Sequence, residues 1–195
     1  SVNGLSNVAE DDNRLARSAL RSGIVMLATT AAVGYSLQLA LELSDLFAAK
    51  ALVICLLGLT LLLASLPAHL PHRRFGAANQ VTMARAALVA LLFALVGEDA
   101  ATLLGWSVVA IATLSAALDG VDGWLARRQR MASAFGARFD METDALLILA
   151  LCMLAWQLGK CGAWVLLAGL MRYLFVVGGY AFDWLRHPLP ASTRR

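Results

Sequence analysis

Residues 101–127 read ATLLGWSVVAIATLSAALDGVDGWLAR, an apolar run that ends on two aspartates. Its first two thirds carry no charge and reach the roughly 17–25 residues that a transmembrane helix needs. Asp119 and Asp122 follow directly, and Asp140 and Asp144 stand where the next long apolar run begins. Because a carboxylate at the edge of the hydrocarbon core of a bilayer is costly, four of them together indicate a functional site.

The composition is that of an all-α integral membrane protein. Of the 195 residues, 60% are apolar and 15% are charged, and the mean hydropathy is +0.71. A soluble domain averages about 45–50% apolar and about 25% charged residues. The formal net charge of +3 gives no reason to expect nucleic acid as a partner. The cysteines show no CxxC or metal-binding spacing and are interpreted as small apolar side chains: Cys55, Cys152 and Cys161.

Six apolar stretches predict a polytopic bundle of six transmembrane helices. They cover about residues 23–44, 51–66, 82–97, 101–118, 141–158 and 162–182. Most arginines fall on one side of this arrangement, namely Arg14, Arg17, Arg21, Arg73, Arg74, Arg85, Arg127, Arg128, Arg130, Arg138, Arg186, Arg194 and Arg195. The positive-inside rule therefore puts both termini and the four aspartates on the cytoplasmic side.

The aspartates are spaced to meet across one contact between two helices. Asp119 and Asp122 are three residues apart and share a helix face, and Gly136, Asp140 and Asp144 form a stripe with a spacing of four. Hard divalent cations prefer such oxygen ligands, and without a cation the carboxylates would repel one another. Two metal ions about 3.5–4 Å apart can clamp the attacking and leaving oxygens of a displacement at phosphorus.

Small and basic residues beside the aspartates favour a phosphate-rich ligand. Gly123 and Ala126 keep the helix surface low, so that a ligand can approach the backbone closely. Arg127 is near enough to add positive charge to a phosphate. A plain alternative for Asp119 and Asp122 alone is a solvated cap at a helix end.

Residues 119–144 resemble the signature of the class I CDP-alcohol phosphatidyltransferase family. The pattern here reads Asp119-x2-Asp122-Gly123-x2-Ala126-Arg127-x8-Gly136-x3-Asp140-x3-Asp144. The resemblance covers about residues 77–195 and divides the chain into a cytoplasmic N-terminal segment (1–22), two additional helices (23–76) and a core (77–195). Since the family core has six helices and only four are expected here, the core is expected to be incomplete at its C-terminus.

The resemblance implies the chemistry and the roles of the aspartates. Family members transfer a substituted phosphate from a CDP-linked donor to an alcohol and release CMP. Asp119, Asp122 and Asp140 would coordinate a pair of Mg²⁺ or Mn²⁺ ions, with Asp144 as a further ligand. Asp144 would also be the base that takes the proton of the acceptor hydroxyl.

The resemblance also implies a set of substrate-binding residues. Asn79 stands in a segment, NQVTMAR, that resembles the nucleotide-holding start of the first core helix, with Ala78 where the family usually has proline. A helix cap is an equal alternative for Asn79, and an ordinary loop serine is one for Ser133. The nucleotide and its diphosphate would contact Asn79, Gly123, Ala126, Arg127, Ser133 and Gly136.

The last apolar stretch contains an arginine and four glycines, each of which predicts a contact. Arg172 lies in its middle and is expected to bind a phosphate of the donor or acceptor, the alternatives being a structural pair with a carboxylate or snorkelling to the interface. Four glycines make the stretch a candidate subunit interface, and the family resemblance implies a homodimer: Gly162, Gly169, Gly178 and Gly179.

The predicted function is phosphatidyl transfer from CDP-diacylglycerol to an alcohol in phospholipid biosynthesis. The expected location is a bacterial inner membrane, among lipids, with the active site facing the cytoplasm. The acceptor is open among glycerol 3-phosphate, an inositol phosphate, serine and other alcohols. An aminoalcohol phosphotransferase that uses CDP-choline or CDP-ethanolamine would need the same residues. A cation transporter would spread its carboxylates through the membrane midplane, and a non-catalytic scaffold is the third alternative.

Overall fold

The computed structural model describes residues 2–65, 77–99, 102–129 and 134–181, and these ranges contain six α-helices and no strand. The helices are α1 (Val2–Ala40), α2 (Phe47–Ser65), α3 (Ala77–Leu95), α4 (Thr102–Gln129), α5 (Ala134–Gln157) and α6 (Val165–Ala181). The prediction of an all-helical bundle is confirmed.

Two of the helices contain stretches that are long and apolar enough to cross a membrane. These stretches are Leu20–Ala40 of α1 and Leu104–Val121 of α4. Three shorter apolar stretches lie in α2, α3 and α6, at Phe47–Leu62, Gln80–Leu95 and Val165–Tyr180. The six predicted crossings therefore stay a proposal, which the length of two helices supports.

Helix boundaries differ from the predicted spans at the polar ends. α1 begins at Val2, well before the predicted start at residue 23, and α4 continues to Gln129 rather than ending near residue 118. Hydropathy marks only the part of a helix that could lie in lipid, whereas the helical backbone continues into polar residues at either end.

α3 is the central helix of the bundle. It packs against α1, α2, α4 and α5, while α6 packs on α5. Leu91, Leu92 and Leu95 of α3 are buried in the core, and so are its polar residues Thr82 and Arg85. Because α3 is surrounded by other helices, any polar side chain in its middle must find a partner inside the protein.

The outside of the bundle carries many exposed large apolar side chains. Trp106, Trp164, Leu61 and Tyr180 are among the most exposed of them. So many exposed large apolar side chains are typical of a surface that contacts lipid or another protein.

A polar cluster fastens the loops at the end of the bundle opposite the aspartates. Glu98 accepts hydrogen bonds from the backbone N–H and the hydroxyl of Ser44, both at 2.8 Å, and it pairs with Lys50. The side chain of Gln157 accepts a hydrogen bond from the N–H of Gly97 at 2.7 Å and donates one to the carbonyl of Glu98 at 2.9 Å. The cluster thus ties together the α1–α2 connection, the α3–α4 connection and the end of α5.

We expect this cluster to make stability depend on acid pH. Burial raises the pKa of Glu98, but the hydrogen bonds from Lys50 and Ser44 outweigh this effect and hold the pKa below its usual range. A depressed pKa stabilises the fold above the ordinary glutamate pKa of about 4.3, and the contribution is lost as the pH falls through the folded-state pKa. Glu98→Gln should therefore cost about 1–2 kcal/mol at neutral pH, because Lys50 is half-exposed, and less at acid pH.

Thermal unfolding in detergent at pH 7 and at acid pH would measure this difference. Asp99→Asn, at the neighbouring exposed position, is the matched control and should change the Tm little at either pH. If the stability difference between Glu98→Gln and the wild type stayed constant as the pH fell, the charge of Glu98 would not be the source of the stabilisation.

Candidate active site

Three aspartates from α4 and α5 come together at one end of the bundle. Asp119 lies in the last third of α4, and Asp140 and Asp144 lie one turn apart in the first half of α5. One carboxylate oxygen of each lies within 4.8 Å of those of the other two. The juxtaposition predicted from helical spacing is therefore found for these three residues.

Asp119 and Asp122 do not cap a helix end, which was the plain alternative for them. α4 continues past Asp119 and Asp122 to Gln129, so both residues lie inside the helix rather than at its N-terminus. Carboxylates as close together as those of Asp119, Asp140 and Asp144 repel one another unless positive charge compensates them. Compensating positive charge must therefore come from elsewhere.

That charge comes from Arg85 of α3, which lies at the centre of the three aspartates. Its Nη1 is 2.9 Å from Oδ1 of Asp119 and also pairs with Asp140, while its Nη2 pairs with Asp144. The Arg85 side chain is only 1% exposed. One guanidinium group thus joins α3, α4 and α5 at the same point.

The sequence placed Arg85 among the residues that indicate orientation and at the end of the nucleotide-holding segment NQVTMAR, but it did not predict that Arg85 pairs with the aspartates. The signal was present, because Arg85 is the one charged residue in α3 and stands within its apolar part. An arginine at such a position requires a partner, and carboxylates are the natural one. Its spacing from the aspartates in the chain did not say which of them it meets.

The charges of the cluster do not cancel. Among these four described side chains, three carboxylates against one guanidinium leave two negative charges. The aspartate side chains are between 37% and 49% exposed, so the carboxylates are accessible from outside the bundle. Two unbalanced charges on accessible carboxylate oxygens are the donor set and the charge that a hard divalent cation takes. The residues present therefore fit a Mg²⁺ or Mn²⁺ site.

Of the other predicted site residues, Gly123 and Gly136 have described positions in the bundle. Gly123 and Gly136 are both half-buried, on α4 and α5. Ser133 lies outside the described residues, and so do the side chains, though not the backbone, of Asn79, Asp122, Ala126 and Arg127. Their predicted contacts therefore stay predictions.

The backbone positions of Asp122 and Asn79 bear on their predicted roles. Asp122 follows Asp119 by one turn in α4, which keeps it near the cluster. Asn79 is the third residue of α3 and so lies inside the first turn, beyond the position of an N-cap. The capping alternative for Asn79 is therefore not favoured by the helix start.

Arg172 is engaged in an ion pair with Glu142. Its Nε donates to Oε2 of Glu142 at 3.3 Å, and its Nη2 pairs with Oε1. Glu142 follows Asp140 by two residues in α5, which places it on a different face from the aspartate stripe. The structure thus shows the alternative named for Arg172, a structural pair with a carboxylate, and its phosphate contact stays a prediction.

Comparison with known proteins agrees with the geometry of the site. Residues 75–194 match the family described as CDP-alcohol phosphatidyltransferase, and this range contains α3 to α6 and all four aspartates. No curated protein and no solved structure is detectably similar to the chain. With more than half of its length matched, the chain belongs to the CDP-alcohol phosphatidyltransferase family, a family of transferases.

Proposed function

We propose that the chain transfers a phosphatidyl group from CDP-diacylglycerol to an alcohol and releases CMP, in phospholipid biosynthesis. Family membership gives the coarser statement, transfer of a phosphate-alcohol group from a CDP-alcohol. The observation that carries the finer proposal is the exposed cluster of Asp119, Asp140 and Asp144 around Arg85, within an apolar bundle.

The metal ligands in this proposal are the three clustered aspartates and Asp122. Oxygens of three of them lie within 4.8 Å of one another, and helical spacing brings Asp122 to the same side of α4. A bound pair of Mg²⁺ or Mn²⁺ ions would neutralise the diphosphate of the donor and the charge on the departing CMP.

Asp144 is the proposed general base. Arg85 holds it through Oδ1, which orients the carboxylate, and its side chain is accessible to an acceptor hydroxyl. The acceptor oxygen attacks the phosphorus that carries the lipid, and its proton passes to the Asp144 carboxylate. The bond between that phosphorus and the CMP oxygen breaks, and CMP leaves with the electron pair.

Arg85 is the proposed positioning residue. It contacts the aspartates rather than the substrate, and it keeps three like charges together before the donor arrives. Since α3, α4 and α5 each contribute to this contact, Arg85 also fixes the spacing of the helices that carry the site.

The nucleotide half of the site is proposed to lie along α4 and the start of α5. Gly123 and Ala126 would let the cytidine approach the helix backbone, and Arg127 would contact the diphosphate. Asn79, Ser133 and Gly136 would complete this half, and Arg172 is proposed to reach a substrate phosphate only after leaving Glu142.

The proposed setting is a cell membrane, the bacterial inner membrane, with six crossings and the aspartates facing the cytoplasm. The two stretches of spanning length, the exposed apolar surface and the arginine distribution support it. Residues 1–22, 23–76 and 77–195 are the proposed domain division, and α6 is the proposed face of a homodimer.

A CMP-release assay in detergent tests the proposal and its dependence on metal. With CDP-diacylglycerol and a panel of alcohols, turnover should appear with Mg²⁺ or Mn²⁺ and disappear with EDTA, because the aspartates then lack their compensating charge. Ca²⁺ serves as a control cation, since its larger size and looser geometry should support less turnover. CMP release only from CDP-choline or CDP-ethanolamine with diacylglycerol would favour the aminoalcohol alternative, and no release from any donor would overturn the proposal.

A further inference from the structure

An apolar cavity of about 590 Å³ lies among α1, α2, α3, α5 and α6. α2 contributes Cys55, Gly58 and Leu62 to its wall, and α3 contributes Met83 and Ala90. The volume falls within the roughly 300–1,000 Å³ that is usual for ligand pockets. α1 and α2 lie outside the residues matched by the family, so part of this wall is supplied by helices without an assigned role.

The cavity is next to the aspartate cluster on the same helices. Phe139 and Thr143 line it, and each immediately precedes one of the clustered aspartates of α5. The hydroxyl of Thr143 donates to the carbonyl of Phe139 at 2.9 Å, so its hydrogen is used inside the helix. α5 thus presents carboxylates on one face and an apolar wall on the neighbouring face.

The cavity is polar at one end and apolar along its length. Arg138, Glu142 and Tyr173 line it at the level of the aspartates, and the wall extends along α3 from Met83 to Phe93. The ten residue steps from Met83 to Phe93 span about 15 Å at the helical rise. This is about half of the roughly 30 Å hydrocarbon core, and so the depth of one leaflet. A cavity one leaflet deep with polar side chains at one end matches a lipid chain attached to a polar head group, and Arg138 at that end can meet an anionic one.

We propose that this cavity binds one acyl chain of the CDP-linked lipid donor while its diphosphate lies at the aspartates. The inference rests on the proposed function, since it takes the donor to be CDP-diacylglycerol. α1 and α2 are then parts of the substrate site, and they contribute to the selection of the donor by its chain length.

Gly58→Phe tests the cavity with little risk to the fold. A Cβ at Gly58 would meet no atom within 4 Å, so the new ring can enter the open space that the glycine lines. Displacing about two methylene groups of a bound chain should raise KM about tenfold for dipalmitoyl CDP-diacylglycerol. The kcat for this donor and the KM for the dihexanoyl donor should stay unchanged. Gly105→Phe is the matched control, because Gly105 of α4 also has open space but does not line the cavity.

Photo-crosslinking separates failure of this inference from failure of the proposed function. A CDP-diacylglycerol with a diazirine near its chain end should label residues 54–62 or 83–93, and Gly58→Phe should remove the label. If turnover is normal but the label falls on other residues, the inference is wrong and the proposed function still holds. The same follows if a diazirine phosphatidylcholine labels these residues equally well, because the cavity then holds a lipid that is not the substrate. If no CDP donor gives turnover, the proposed function is wrong. In that case a diazirine phosphatidic acid tests the cavity separately, and its failure to label these residues would show that the cavity does not bind an acyl chain.

Discussion

Asp144→Asn is expected to abolish transfer, with a fall in kcat of at least about 10²–10⁴-fold, the usual contribution of a general base. The amide cannot take the proton of the acceptor hydroxyl and is a weaker metal ligand than the carboxylate. Arg85 loses its pair with Asp144 but keeps those with Asp119 and Asp140, so the helices should stay in place. Steady-state CMP release gives kcat, and calorimetric titration with the donor gives its affinity, which should change far less.

Asp45→Asn is the control for this substitution. It makes the same chemical change at an exposed aspartate in the connection between α1 and α2, and it should leave kcat at the wild-type value. If Asp144→Asn kept full turnover, the assignment of Asp144 as the base would be wrong. If turnover and donor binding were lost together, Asp144 would act as a metal ligand and not as the base.

Arg85→Met should be strongly destabilising when no metal is present. Methionine keeps most of the apolar stem but leaves three carboxylates within 4.8 Å of one another without their guanidinium. Removing one partner of a buried ionic cluster costs about 3–5 kcal/mol, and the partial exposure of the aspartates puts the expected loss at about 3 kcal/mol. Thermal unfolding in detergent with EDTA measures it, and addition of Mg²⁺ should recover part of the loss because the cation replaces positive charge at the same oxygens.

Arg172→Met provides the matched comparison. Arg172 pairs with a single carboxylate, Glu142, and both side chains are partly exposed, so its loss should cost about 1 kcal/mol or less. Mg²⁺ should not change that cost. Arg85 would not balance the charge of the aspartates if Arg85→Met were as stable as Arg172→Met. The same conclusion would follow if Mg²⁺ did not change the Tm of Arg85→Met.

The aspartate cluster was the most predictable part of the site. Asp119 and the pair Asp140 and Asp144 lie on two consecutive helices, so their helical spacing sets the faces on which they lie. α4 and α5 both pack on α3, and the short connection between them keeps their aspartate-bearing ends close together. The gap between predicted and observed geometry is small here because both the periodicity and the connection are local properties of the chain.

Arg172 illustrates the opposite case. The sequence indicated that this arginine needs a partner, and it offered a substrate phosphate or a carboxylate. Glu142 lies 30 residues away on α5, and the rotation of α6 against α5 decides whether the two side chains meet. That rotation follows from packing along the whole contact and cannot be derived from either helix alone.

Taken alone, the sequence determined that the chain is helical, that its carboxylates share faces of two helices, and that they suit a metal-dependent transfer of a phosphate group. These properties follow from residue type and from the helical period, which act over a few residues. Only the tertiary structure decided that Arg85 of α3 lies among the aspartates and that α1 and α2 wall a cavity beside them. Both are contacts between helices distant in the chain, and such contacts depend on how all the helices pack at once.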